Sequence, residues 1–300
     1  MSVRHFLDMD DVSPQELGDV LDRAERREVP QLLHAQGVGL VFEKPSARTR
    51  NSMEMAVVQL GGHPVSIRGD EVGLPDRETP EDLARTLACY HRLIGARVFD
   101  HETLRRMSRV VDVPIVNLLS DRAHPMQTLA DLLTMRERFK QLAGLTVAWV
   151  GDGNNVCNSL IVGAAMARMH VRVATPPGYE PSSLALEKAG DVGGRVLLTN
   201  DPREAVRVAD AVCTDVWASM GQEAEHTERA KAFEGFTVTA ELMQRANPGA
   251  IFLHCLPAHR GEEVDADVID GDASLVWAQA ANRLHAARGL LWWLLDQAAS

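Results

Sequence analysis

Val38-Gly39-Leu40-Val41-Phe42 is an apolar run of strand length, and the residues after it decide the fold. A polar segment comes next, Glu43-Lys44-Pro45-Ser46-Ala47-Arg48-Thr49-Arg50. Beyond it Met53, Ala56, Val57 and Leu60 fall at i, i+3, i+4 and i+7, the spacing of a helix with one core-facing side. Gly61-Gly62 closes that helix. Strand, polar loop and helix in this order make the first half of a βα unit.

Further along the chain the same alternation recurs. Apolar runs around Leu93–Phe99 and Pro114–Leu118 extend a βα domain over about residues 1–130. A helix is expected from His124 to about Lys140, with Pro125 in the first turn, where proline is tolerated. The pattern then restarts. Strand candidates are Thr146–Val150, Val171–Ala174, Arg195–Leu198, Ala211–Thr214 and Ile251–His254, with helical stretches between them. Alternating units of this kind favour parallel sheets covered by helices. The expected class is therefore α/β, with two doubly wound parallel-sheet domains, residues 1–130 and 131–279. The last segment, 280–300, carries an apolar helical stripe of Leu284, Ala287, Leu291, Leu294 and Leu295. That stripe needs a surface to cover, and the expectation is that it packs back on the first domain. In open parallel sheets ligands sit beyond the carboxyl ends of the strands, so the loops there are the places to look for chemistry.

Composition narrows the function classes. The chain has 300 residues, enough for two domains, with 45% apolar and 24% charged residues, a globular mix. A net charge of −11 argues against nucleic-acid binding, and no apolar stretch has the length of a membrane span. Arg4, Asp8, Asp10, Asp11, Glu16 and Asp19 interrupt the first thirty residues, so no signal-peptide core is read there. Cys89, Cys157, Cys213 and Cys255 lie far apart without a Cys-x-x-Cys pair, which suggests neither a zinc site nor a disulfide framework. A reducing, cytoplasmic location is expected. No repeat of 20–50 residues and no low-complexity tract is present.

The loop after the first strand brings together Lys44, Arg48 and Arg50, the hydroxyls of Ser46 and Thr49, and a helix N-terminus. Unpaired helix N–H groups beside arginine make a phosphate site. Taken alone, a solvated basic loop explains the segment equally well. The residue pattern adds more. Ser46-x-Arg48-Thr49-Arg50 resembles the Ser-Thr-Arg-Thr-Arg signature of the aspartate and ornithine carbamoyltransferase family. The resemblance implies that Ser46, Ala47, Arg48 and Thr49 hold the phosphate of carbamoyl phosphate. Ala47 stands where threonine is usual, so its contribution would come through the backbone amide.

Further motifs resemble the same family over nearly the whole chain. Arg97, in Ala96-Arg97-Val98-Phe99, matches a family arginine that reaches carbamoyl phosphate. His124-Pro125-Met126-Gln127 resembles His-Pro-x-Gln, implying that His124 and Gln127 meet the carbamoyl group. Arg283 matches an arginine near that group. Asp215-Val216-Trp217-Ala218-Ser219-Met220-Gly221 and His254-Cys255-Leu256-Pro257 resemble loops of the ornithine-specific members. An aspartate there suits a cationic acceptor and would repel an acidic one. Together with Gly151-Asp152-Gly153-Asn154-Asn155, these loops imply Asn155, Asp215, Ser219 and Met220 as contacts to L-ornithine, and Cys255 and Leu256 as contacts to carbamoyl phosphate.

The implied reaction is carbamoyl transfer to the δ-amine of ornithine, as in arginine biosynthesis. The catalytic residues would be Arg97, His124, Asp215, Cys255 and Arg283, with no metal and no organic cofactor. The resemblance also implies a homotrimer or a multiple of trimers. One segment, 69–79, is longer than the family pattern and places Glu71 where a glutamine is usual. An anion there would need pairing, with Arg68 or Arg77 as partners. The competing readings are a carbamoyltransferase for putrescine or an acylated ornithine, a nucleotide-binding oxidoreductase, and a non-catalytic relative. Against the oxidoreductase, Gly151-x-Gly153 lacks the third fingerprint glycine, since Val156 occupies that place. Cys255 could also be a buried structural thiol, or a nucleophile if His254 or His259 served as its base.

Overall fold

The computed structural model describes residues 3–72, 78–218 and 226–298. The chain divides into two compact units, Met1–Leu133 with Ala281–Ser300, and Thr134–Ala280.

The first unit is built on four parallel strands, β1 (Gly37–Phe42), β2 (His63–Arg68), β3 (His91–Arg97) and β4 (Ile115–Leu119), in the order β2-β1-β3-β4. Its helices are α1 (Pro14–Glu25), α2 (Ala47–Gln59), α3 (Gly69–Val72), α4 (Pro80–Ala88), α5 (His101–Ser108) and the start of α6 (Pro125–Phe139). After β1 the chain places β2 on one side and β3 on the other, so the strand order reverses at the β1–β3 pair. Such a switch point opens a crevice at the carboxyl ends of the strands. The register sets Phe42 beside Arg97, and Glu43 N–H donates to Arg97 C=O at 2.9 Å. The loop after β1 and the end of β3 therefore face one another. Under the sheet Val41, Leu83, Ile94, Leu104, Met107 and Ile115 form one buried cluster.

The second unit holds five parallel strands, β5 (Thr146–Val150), β6 (His170–Ala174), β7 (Val196–Thr199), β8 (Ala211–Thr214) and β9 (Ile251–His254), in the order β7-β6-β5-β8-β9. Between them run α7 (Asn155–Met166), α8 (Ser183–Asp191), α9 (Pro202–Val206), α10 (His226–Ala232), α11 (Ala240–Met243) and α12 (Ala266–Ile269). Here the order reverses between β5 and β8. Its core gathers Val150, Val212, Phe233, Phe252, Val264 and Val276.

The last helix, α13 (Val276–Gln297), returns to the first unit, where it packs on α1. A Cβ on Gly289 would lie 2.7 Å from Val20 O and Ala24 N, so glycine is what lets the two helix backbones touch. Arg288 reaches under the end of α1, donating to Ala24 O and Arg26 O, while Arg23 pairs with Asp296 at 3.1 Å. Leu290, Leu291, Trp293 and Leu294 are all buried on this helix, at roughly 1.5–3 kcal/mol per aliphatic side chain.

The α/β class, the two parallel sheets and the packing of the C-terminal helix agree with the expectation from sequence. In detail, β2 has no counterpart among the strand candidates. It is an edge strand, exposed or half-buried throughout, so it lacks the apolar run that marks the others. Helix α1 is likewise an addition to the sequence reading, although Leu17, Val20, Leu21 and Ala24 carry its buried side. Leu284, expected in the apolar stripe of α13, is only half-buried.

Candidate active site

Every residue expected to meet carbamoyl phosphate, apart from Cys255 and Leu256, lies in the first unit at its switch point. Ser46 is extended and caps α2, its hydroxyl accepting from Thr49 N–H at 3.2 Å. Ala47 and Arg48 then open the helix, whose first-turn amides point out along its axis and favour an anion. Thr49 is buried in the same turn, and two guanidiniums converge on its Oγ1. Arg97 Nη1, at the end of β3, donates at 3.4 Å, and Arg283 Nη2, from α13, at 3.1 Å. Arg283 Nη1 also donates to Gln127 Oε1 at 2.6 Å. Gln127 Nε2 in turn donates to Asp131 Oδ1 at 2.7 Å, which fixes the orientation of the amide. Arg97, His124, Gln127, Asp131 and Arg283 are all buried.

His124 sits just ahead of α6 beside these cations. Burial holds its pKa well below the usual 6.5, and Arg283, Arg97 and Arg48 depress it further, in that order. The imidazole is therefore neutral at neutral pH. This set can receive a small dianion and donate hydrogen bonds to a carbonyl beside it.

Glu71, in α3, is exposed, and its Oε2 accepts from the Arg68 backbone N–H at 3.1 Å. The Arg68 guanidinium pairs with Asp70 instead, at 2.5 Å, so the expected side-chain pairing of Glu71 with Arg68 is not made. Arg77 lies outside the described residues.

In the second unit two of the expected acceptor residues, Asn155 and Asp215, follow β5 and β8, the strands of its switch point. Asp215 follows β8 and is buried. Its Oδ1 accepts from Cys255 Sγ at 2.9 Å and its Oδ2 from Asn154 Nδ2 at 2.9 Å. Asn154 caps α7, its Oδ1 accepting from Val156 N–H and Cys157 N–H. Asn155 is the first residue of α7 and is half-buried. Ser219 and Met220 lie outside the described residues.

Cys255 and Leu256 form the turn after β9, with Leu256 at φ 59°. Leu256 N–H donates to His254 Nδ1 at 2.8 Å, and His254 Nε2 meets Glu263 Oε1 at 3.1 Å. Both ring nitrogens of His254 are thus engaged away from Cys255, and the thiol donates to the Asp215 carboxylate. That setting disfavours a thiolate and argues against a covalent nucleophile.

Gly153 answers the oxidoreductase reading as well. A Cβ there would lie 2.3 Å from Pro181 N and 2.6 Å from Tyr179 O. The glycine makes room for the protein's own main chain rather than for a dinucleotide.

Sequence reasoning singles out neither Asn154 nor Asp131. Asn154 follows a strand and precedes an apolar helix, the N-cap pattern. Asp131 stands four residues after Gln127 on one helix, a spacing that puts the two side chains together. A third feature outside the sequence reading is the buried pair of Asp152 and Arg229, 2.9 Å apart. Arg229 Nη1 also donates to Trp217 O at 2.8 Å, and the guanidinium lies over the Tyr179 ring.

Comparison with known proteins places this architecture. Residues 4–137 match the family described as aspartate/ornithine carbamoyltransferase, carbamoyl-P binding domain. Residues 143–294 match aspartate/ornithine carbamoyltransferase, Asp/Orn binding domain. An ornithine carbamoyltransferase of Carboxydothermus hydrogenoformans is 49% identical, over 97% of each chain. The solved ornithine carbamoyltransferase of Pyrococcus furiosus superposes with a TM-score of 0.92 at 42% identity, covering 97% of this chain and 96% of that one. An anabolic ornithine carbamoyltransferase of Campylobacter jejuni superposes with a TM-score of 0.93 at 34% identity, covering 98% and 100%. The chain belongs to the aspartate/ornithine carbamoyltransferase family.

Proposed function

We propose that the protein transfers the carbamoyl group of carbamoyl phosphate to the δ-amine of L-ornithine, giving L-citrulline and phosphate, in the direction of arginine synthesis. The observation that carries the reading is the buried convergence of Arg97 and Arg283 on Thr49, beside a neutral His124 and at a helix N-terminus. The second unit supplies the acceptor chemistry. Asp215 is a buried carboxylate suited to a cationic amino acid, and the relatives that match over the full chain are named for ornithine.

In this reading the first unit takes carbamoyl phosphate. Ser46, Ala47, Arg48 and Thr49 cradle the phosphate. Arg97, His124, Gln127 and Arg283 hold the carbamoyl carbonyl and amide. Attack by an amine on that carbonyl develops an oxyanion, which preoriented donors stabilise more than they stabilise the substrate. Arg97, His124 and Thr49 supply those donors, with Arg283 assisting. The leaving phosphate gains charge within a cationic cradle.

The second unit takes ornithine, with Asn155, Ser219 and Met220 on its amino-acid end and Asp215 and Cys255 on the δ-amine. An alkyl amine has a pKa of about 10.4 in water, so it must lose a proton before it can attack. Asp215 is the carboxylate of this set, placed to orient that amine. Cys255 and Leu256 complete the contacts to the carbamoyl group. No metal and no organic cofactor enters the reaction.

The reading extends to a homotrimer or a multiple of trimers, and to the cytoplasm. The latter is consistent with four free cysteines, one of them the exposed Cys89. No helix among the described residues is long and apolar enough to cross a membrane. Citrulline formation from ornithine, measured against carbamoylation of putrescine and N-acetylornithine, tests the assignment. Preference for either competitor would overturn the choice of acceptor, and no turnover with any of the three would overturn carbamoyl transfer itself.

A further inference from the structure

The turn after β9 holds a second group of polar side chains that the proposed reaction does not use. Glu263 is fully buried. Its Oε1 accepts from His254 Nε2 at 3.1 Å and from His259 N–H at 2.7 Å. Because His254 Nδ1 accepts from Leu256 N–H, that ring is the neutral Nε2–H tautomer, so both donors to Oε1 are uncharged. The other oxygen, Oε2, is buried and has no hydrogen-bond partner among the described residues. It points at His259 Nδ1, 3.9 Å away, and the same nitrogen stands 3.9 Å from Glu262 Oε2. One imidazole nitrogen and two carboxylate oxygens thus lie within 4.8 Å of one another. A buried carboxylate without a cation or a full set of donors is costly, by several kcal/mol in the general case.

We propose that His259, Glu262 and Glu263 bind a divalent cation of the zinc type, which fastens the turn that carries Cys255 and Leu256. Nitrogen with two carboxylates is a donor set that zinc accepts, at about 2.0–2.2 Å per bond. Ligand atoms of a tetrahedral ion therefore stand about 3.3–3.6 Å apart, a few tenths of an ångström less than the 3.9 Å from His259 Nδ1 to each carboxylate. The remaining adjustment falls on His259 and Glu262, whose side chains are 51% and 37% exposed and also give the ion its way in. Glu263 joins this group to His254, next in sequence to Cys255, so the ion would restrain that turn without touching the reactants.

A neighbouring set, Asp215, His254 and Cys255, could also attract a soft metal, and the test separates the two. Zinc binding to the full chain is measured by calorimetry, with cobalt(II) absorption as the second readout. The expected result is one ion per chain whose affinity falls at least about tenfold in His259→Ala and in Glu262→Gln, by analogy with lost metal-site partners. It survives in Cys255→Ser, and the cobalt form shows no thiolate charge-transfer band. Zinc raises the melting temperature of the wild type and of Cys255→Ser but not of His259→Ala. Turnover without added metal is the same in His259→Ala and Glu262→Gln as in the wild type. Because Glu263 is buried and its variants risk misfolding, the two exposed ligands carry the test. Unchanged affinity in His259→Ala and Glu262→Gln, complete loss of binding in Cys255→Ser, or no binding at micromolar zinc would each overturn the proposal.

Discussion

Arg283 Nη2 donates to Thr49 Oγ1 at 3.1 Å, joining residues 234 positions apart in sequence. The same oxygen accepts from Arg97, so one hydroxyl orients two guanidiniums that would otherwise repel each other. The C-terminal helix thus has a second task besides covering α1. It delivers Arg283 to the switch point of the first sheet.

Thr49→Val keeps the shape of the side chain and removes that acceptor. Both guanidiniums then lose a partner while remaining buried, at about 1–3 kcal/mol for an unsatisfied buried group. Urea denaturation is expected to show a loss of that size, accompanied by a higher KM for carbamoyl phosphate. Stability and KM both equal to the wild type would show that Thr49 does not organise the pair. Arg283→Ala goes further, since in the proposed reaction it deletes a donor to the developing oxyanion. It is expected to lower kcat by about 10²–10³-fold, the usual cost of such a donor.

His124 gives a prediction with a definite sign in pH. Its folded pKa lies well below the unfolded value of 6.5, so below pH 6.5 the unfolded chain binds a proton that the native state refuses. Stability is then fully present above pH 6.5 and falls as the pH drops beneath it. In NMR titration the His124 ring should stay neutral through pH 6.5. His124→Asn should flatten the decline in stability on the acid side. A His124 midpoint at or above 6.5 would refute the depressed value.

The two sheets are legible in the sequence because most of their strands are buried on both faces and read as apolar runs. Thr146–Val150, Ala211–Thr214 and Ile251–His254 have the same ends in sequence and structure. Strand β2 is not legible, since an edge strand needs no such run. The site is legible at Arg97, His124, Gln127 and Arg283 through resemblance alone, because no local pattern links Arg283 to Thr49. Local patterns mark Asn154 as a cap and Asp131 as a neighbour of Gln127, but the contact of Asn154 with Asp215, 61 residues away, becomes visible only when the chain is folded.

Asp215 offers a test that separates the two substrates. Its carboxylate is fixed from both sides by Cys255 and Asn154, so Asp215→Asn changes charge with little change in shape. A hydrogen bond to a charged group contributes about 1.5–3 kcal/mol, so KM for ornithine should rise roughly ten- to a hundredfold. KM for carbamoyl phosphate should stay put. If both constants moved together, the assignment of Asp215 to the acceptor side would fail.

The Asp152–Arg229 pair makes a last prediction that stability alone cannot settle. Both side chains are about nine-tenths buried, and Asp152→Asn would remove the carboxylate charge that Arg229 meets at 2.9 Å. Breaking one side of a buried pair costs about 3–5 kcal/mol, whereas replacing both partners by neutral groups can cost far less. Asp152→Asn should therefore unfold in less urea than Asp152→Asn combined with Arg229→Met. Arg229 also holds the carbonyl of Trp217, two residues before Ser219. If that contact to Trp217 serves the acceptor site, Arg229→Met raises KM for ornithine even in the double variant. KM for carbamoyl phosphate then stays unchanged. A pair serving stability only would return both constants to their wild-type values once both charges were gone, and that outcome would remove Arg229 from the recognition of ornithine.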